Sequence, residues 1–123
     1  MDRARYTFAR KRRIADPVDF RAAYDSGRSM SRGPLKLFVR RNRQGHARLG
    51  ISVPKRVGNA PRRNRIKRRL REAFRLMQHD WPGDGAWDLI VVVRPHEPLL
   101  LADYQRILSA AMVKLTAGDG GAS

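Results

Sequence analysis

Apolar and polar residues alternate along Leu35-Lys36-Leu37-Phe38-Val39-Arg40, the period of a half-buried strand. Arg48-Leu49-Gly50-Ile51-Ser52-Val53 alternates again, and Pro54 ends it. Asn42 to Gly45 reads as a turn, so these two strands are expected to pair as a hairpin. Leu89 to Val93 is instead a continuous apolar run inside a strand from Trp87, which suits a strand covered on both faces; Pro95 stops it. Two stretches follow the helical period. Residues 60–79 place Ile66, Leu70, Ala73, Phe74 and Met77 on one side, with Asn59 as N-cap and Pro61 in the first turn. Residues 102–116 stripe Tyr104, Ile107, Leu108, Ala111 and Leu115. A short first helix is expected from Asp16-Pro17 to about Ser26, before Gly27. Residues 28–34 read as a loop ending in Gly33-Pro34, with room for an extra short strand within 28–41.

The order α-β-β(-β)-α-β-α predicts one α+β domain over 14–116, a small, mainly antiparallel sheet backed by helices. Residues 1–13 form a basic, flexible extension and 117–123 a Gly/Ala/Ser-rich tail. The length of 123 residues fits a single core. No stretch reaches the ~18 apolar residues of a membrane span, and the N-terminus lacks the apolar region of a secretory signal. Cysteine is absent, which excludes disulfides and thiolate chemistry and fits a reducing cytoplasm.

Charge changes the picture. The net charge is +16, and it is unevenly placed. Residues 1–75 hold 24 basic and 5 acidic residues; residues 76–123 hold 3 basic and 6 acidic. A polyanion partner contacting the first 75 residues follows. Arginine outnumbers lysine 22 to 5, which favours nucleic acid over a membrane surface, because the guanidinium fork matches phosphate and base edges.

The densest charge is on the long helix. Opposite its apolar side, Asn64, Arg68, Arg71 and Arg75 share a face, with Lys67 at the edge and Arg65 and Arg69 on the other flank. Arg63 falls near the apolar stripe and is expected to brace the preceding loop. Like charges at i, i+4 repel by a few tenths of a kcal/mol per pair, and Glu72 alone offsets them within the cluster. A solvated surface helix normally mixes both signs, so this face reads as a phosphate-binding surface.

Leu49 to Phe74 closely resembles the bacterial ribonuclease P protein family. The stretch Gly50 to Lys55 matches its strand end, and Arg63-Asn64-Arg65 followed by Lys67, Arg68 and Arg71 matches its basic helix. The resemblance extends over about residues 8–116. It implies the small protein subunit of an endoribonuclease that removes the 5′ leader of precursor tRNA. Catalysis there belongs to the RNA subunit with bound Mg²⁺, and no side chain of the protein is catalytic. It further implies a protein monomer bound 1:1 to that RNA, and a left-handed βαβ crossover, against the general right-handed preference. Lys55, Gly58 and Asn59 match the family's loop before the helix, and Arg62 and Arg75 extend the RNA-binding set. Phe20 and Tyr24 match an aromatic pair lining a cleft for the leader, with Lys36 and Phe38 on the facing strand.

From spacing alone, Phe20 and Tyr24 share a helix face as i, i+4, and either a core or a base-stacking role is open. Lys36, Phe38 and Arg40 share one strand face, the cation–aromatic mix that holds single-stranded RNA; Leu35, Leu37 and Val39 then face the core. His46, His79 and His96 lack ligand spacing, so no zinc site is expected. Asp80, Asp84 and Asp88 read as an acidic loop patch, solvated or paired locally with arginine, and Trp81 and Trp87 as core or loop anchors. The rival readings are a ribosomal or architectural nucleic-acid-binding protein, and a peripheral membrane protein. The second is weak because the helix's apolar side is needed for the core.

Overall fold

The computed structural model describes residues 13–14, 21–22, 24–25, 28–81 and 85–117. Among them are four strands, β1 (Ser29–Arg32), β2 (Leu35–Arg41), β3 (Arg48–Ser52) and β4 (Trp87–Val93), and two long helices, α1 (Ala60–Met77) and α2 (Leu101–Leu115). A 3₁₀ turn, Lys55–Val57, links β3 to α1. Residues 21, 22 and 24 are helical, as expected of the first helix; its predicted start, Phe20 and Ser26 lie outside the described residues.

The sheet order is β1-β2-β4-β3. β1 and β2 are antiparallel, β2 and β4 are antiparallel, and β3 and β4 are parallel. The expected hairpin between β2 and β3 therefore does not form, because β4 inserts between them. The physical reason is burial. β2 and β3 each carry polar positions that suit a flank, whereas β4 has the continuous apolar run and takes the centre. The hairpin is instead β1–β2, and residues 28–34, read above as a loop, contain β1. Arg32 pairs with Leu35 across the two-residue loop Gly33-Pro34. Gly33 has φ +57°, and proline fixes φ near −65° at the second position, which is the type II′ arrangement that fits strand twist.

Register divides the side chains between two faces. Leu35, Leu37 and Val39 meet Val93, Val91 and Leu89, and Leu49 lies beside Leu89. All are buried against Ile66, Leu70, Ala73, Phe74 and Met77 of α1 and Tyr104, Ile107, Leu108, Ala111 and Leu115 of α2. Trp81 and Trp87 complete this core, their rings stacked at 6.3 Å. The opposite face carries a smaller apolar cluster: Ile14 and Ile90 with Phe38 and Val92 against them. Ile14 is held there by its backbone N–H, which donates to the Leu49 carbonyl at 2.9 Å. Arg13, assigned above to the flexible extension, forms a parallel bridge with Leu49.

Asp88 is a second correction. It is not part of a loop patch with Asp80 and Asp84. It is the second residue of β4, fully buried, and its strand parity turns it away from Trp87 and Leu89 onto the smaller face. Arg48 donates to it from Nε (2.9 Å) and Nη2 (2.8 Å), Arg40 from Nε (3.2 Å) and Asn42 from Nδ2 (2.8 Å). Asn42 also donates to the His46 carbonyl and accepts from the Gln44 N–H, fixing the link that carries the chain past β4 from β2 to β3.

Candidate nucleic-acid interface

Helix α1 begins where the sequence says it should. The Asn59 side chain accepts the Arg62 N–H at 3.0 Å, and Pro61 occupies the first turn. Arg63 bends back and donates from Nε to the Gly58 carbonyl at 3.1 Å, the bracing role its place on the wheel predicts. The buried side of α1 is committed to the core, so its cations are left to the two flanks and the outward face. Asn64, Arg65 and Arg68 are exposed; Lys67, Arg71 and Arg75 are half-buried beside them. Lys55 and Asn59 are exposed just ahead of the helix.

The predicted RNA-binding residues are not equivalent. Arg62 pairs with Glu97 at 3.2 Å and Arg69 donates to the Leu99 carbonyl at 2.5 Å, so this flank fastens α1 to the segment before α2. Arg75 forms a two-pronged pair with Glu72 at 2.5 and 2.7 Å. That hydrogen bond and the Arg75 charge hold the Glu72 carboxyl below its ordinary pKa, against the opposing effect of burial.

Arg68, Arg71 and Arg75 come together around a cavity of about 490 Å³, which Arg13, Arg69, Glu72 and Leu101 also line. Five arginines against one glutamate make it an anion-attracting hollow. Burial, and then the neighbouring Arg13 charge, push the Arg71 guanidinium below its ordinary pKa; it stays a cation at neutral pH. Arg13 was missed by sequence reasoning. Its position depends on a bridge to β3 some thirty-six residues away, and no local pattern carries that.

The leader-cleft candidates lie on the other side of the sheet. Tyr24 packs edge-to-face on Phe38, with centroids 4.8 Å apart, and Lys36 Nζ sits 5.3 Å from the Phe38 ring centre. Tyr24 remains 39% exposed, so the pair forms an open platform and not a closed core contact. Phe20 lies outside the described residues. The cationic side of α1 and the aromatic platform thus sit on opposite faces of the sheet. Among the described residues, no three His, Asp or Glu side chains converge to hold a metal ion, and no helix is long and apolar enough to cross a membrane.

Residues 8–116 match the family model described as Ribonuclease P. The ribonuclease P protein component of Clostridium kluyveri is 43% identical over 82 residues, covering 67% of this chain and 73% of that protein. Among solved structures, the Staphylococcus aureus RNase P protein is 33% identical with a TM-score of 0.71, covering 86% of this chain and 95% of that one. The Thermotoga maritima RNase P protein is 27% identical with a TM-score of 0.71, covering 83% and 96%. The four-stranded mixed sheet and its two packed helices are the α+β fold these structures share. With a match spanning nearly the whole chain, and with the fold and the arginine-rich helix in agreement, the chain belongs to the ribonuclease P protein family.

Proposed function

We propose that this protein binds the catalytic RNA subunit of ribonuclease P and the 5′ leader of precursor tRNA, and so promotes Mg²⁺-dependent removal of the leader. The observation that carries this reading is the pair of opposed surfaces. A structural RNA-binding protein needs one cationic face. Here the α1 cations lie on one side of the sheet and the Tyr24–Phe38–Lys36 platform on the other, as suits a bridge between two RNAs.

In this scheme Lys55, Asn59, Arg62, Arg63, Asn64, Arg65, Lys67, Arg68, Arg71 and Arg75 form the surface toward the RNA subunit. Asn59 and Arg63 contribute mainly by shaping the helix start, and Arg62 by fixing α1 to Glu97. Phe20, Tyr24, Lys36 and Phe38 take the leader, stacking bases and screening phosphates. The chain acts as a 1:1 subunit in the cytoplasm. It places no acid, base or nucleophile at the scissile bond. Mg²⁺ is bound mainly by RNA and substrate, where it supplies the activated water. The protein lowers the Mg²⁺ requirement by screening repulsion between the two RNAs.

Reconstitution tests this. With the RNA subunit and a precursor tRNA at low Mg²⁺, adding the protein should switch on accurate 5′ cleavage. Cleavage no better than with RNA alone overturns the reading and leaves an architectural RNA-binding role.

A further inference from the structure

The hollow beside α1 is larger than a phosphate needs. Its volume of about 490 Å³ falls within the roughly 300–1,000 Å³ of sites that enclose organic ligands. Its wall is also mixed. Arg68, Arg69, Arg71, Glu72 and Arg75 come from α1, Arg13 from beside β3, and Leu101 from the first residue of α2. Leu101 packs on the core with one side and turns apolar surface into the hollow with the other. A phosphate gains nothing from such a wall; the face of a base does.

That apolar side is fixed by a run of hydrogen bonds. The Leu99 carbonyl accepts from Arg69 Nη1 at 2.5 Å, and the Leu99 N–H donates to the Tyr104 hydroxyl at 3.1 Å. The same hydroxyl meets His96 Nε2 at 2.7 Å, and His96 Nδ1 lies 2.8 Å from the Arg94 carbonyl, which can only accept. In the neutral ring Nδ1 therefore carries the hydrogen, and the hydroxyl donates to Nε2. Tyr104 is fully buried, so the run is anchored in the core. It holds the segment before Leu101 and pins the Arg69 guanidinium. A pinned guanidinium beside an apolar side chain is a seat for a flat ring. The phosphate side is separate. Among the described residues, Arg68 and Arg71 have no hydrogen-bond or ion-pair partner. Burial and the neighbouring Arg13 charge work against the Arg71 cation, a cost that a phosphate beside it relieves. Arg68 also belongs to the exposed α1 face with Asn64 and Arg65, so the hollow opens directly from that face.

We propose that the hollow seats one unstacked nucleotide of the RNA subunit, its base against Leu101 and the Arg69 guanidinium and its phosphate on Arg68 and Arg71. The ligand chemistry is a nucleoside phosphate, and continuity with the α1 face assigns it to the RNA chain over a free nucleotide. This rests on the reading of α1 as the surface toward the RNA subunit.

The test uses the full chain with the RNA subunit. Leu101→Trp fills the hollow and Leu101→Ser removes its apolar wall; neither changes the charge. Each should weaken RNA-subunit binding roughly tenfold, the scale of one buried apolar contact. The slope of log affinity against log salt should not change, whereas Arg71→Gln should flatten it by about one unit. Chemical probing of the RNA should show an unpaired base shielded by the wild-type protein and released with Leu101→Trp, while backbone protection elsewhere persists. Circular dichroism checks that each variant folds. No base newly shielded by the wild-type protein overturns the proposal whatever the variants do. Wild-type affinity and an unchanged base pattern with Leu101→Trp overturn it and leave the α1 reading standing. Adenosine monophosphate titrated into the free protein separates the two sources. If it binds, and Leu101→Trp abolishes that binding while the RNA footprint stays as in wild type, the hollow serves a free nucleotide and the proposal falls. A wild-type protein that does not bind the RNA subunit overturns the α1 reading, and this proposal with it.

Discussion

Arg68 is the clearest single test of the α1 surface. It is exposed, mid-helix and one of the arginines around the 490 Å³ cavity. Arg68→Ala should leave the unfolding free energy within about 0.5 kcal/mol of wild type. It should weaken binding to the RNA subunit about tenfold or more, the scale of a charge-assisted hydrogen bond. Isothermal unfolding and a filter-binding titration check both halves. Glu72 behaves oppositely, since it acts within the protein. Its carboxyl is more acidic folded than unfolded because of the Arg75 hydrogen bond. The pair's contribution is therefore complete above the ordinary carboxylate range and is lost as pH falls through the lower folded value. With 38% of the Glu72 side chain exposed, solvent screening limits it to roughly 0.5 kcal/mol. The stability gap between wild type and Glu72→Gln should close on acidification below that range, as followed by denaturant midpoints at stepped pH.

At the scale of elements, the β1–β2 hairpin depends on one backbone conformation. A Cβ on Gly33 meets only Ile107 Cδ1 at 3.7 Å, an ordinary contact, so space is not the constraint. The φ of +57° is. Gly33→Ala should lower the urea midpoint by the equivalent of about 1–3 kcal/mol with an unchanged m-value. The elements themselves were legible because their signals are local. The Asn59 cap, the two-sided wheel of α1, the buried Leu35, Leu37 and Val39, and the double-sided burial of β4 all follow from neighbours within a few residues. Pairing was not legible in the same way. Asn42 to Gly45 looks like a hairpin turn, yet it spans a strand from forty residues later. The clue was present in the apolar run of Leu89 to Val93, since a strand without a polar face belongs in the middle of a sheet. The same non-locality hid Arg13 and the partners of Asp88, whereas the alternation along β2 showed directly that Lys36 and Phe38 share a face.

At the scale of the whole molecule, the cationic face of α1 and the Tyr24–Phe38–Lys36 platform lie on opposite sides of one four-stranded sheet. Arg62 and Arg69 are drawn to the 97–99 segment, so the α1 cations split into an inward-tied flank and an outward face. If roughly six phosphates are contacted, affinity for the RNA subunit should fall about 10³-fold between 50 and 200 mM salt. A double variant, Arg68→Ala with Arg71→Ala, should flatten that dependence by about two units of slope. A titration across salt concentrations measures both, and an unchanged slope excludes the α1 face as the contact.

The central position of β4 also sets a timetable for synthesis. β1, β2, β3 and α1 all precede it in the chain, yet β2 and β3 have no ladder to each other, and each pairs with β4. On the ribosome the sheet cannot close until Val93 has emerged. Up to then the apolar side of α1 lacks most of its cover while the cationic side is already complete. The nascent chain therefore presents its cationic surface before it has a fold, and the central strand is the step that fixes that surface in one geometry.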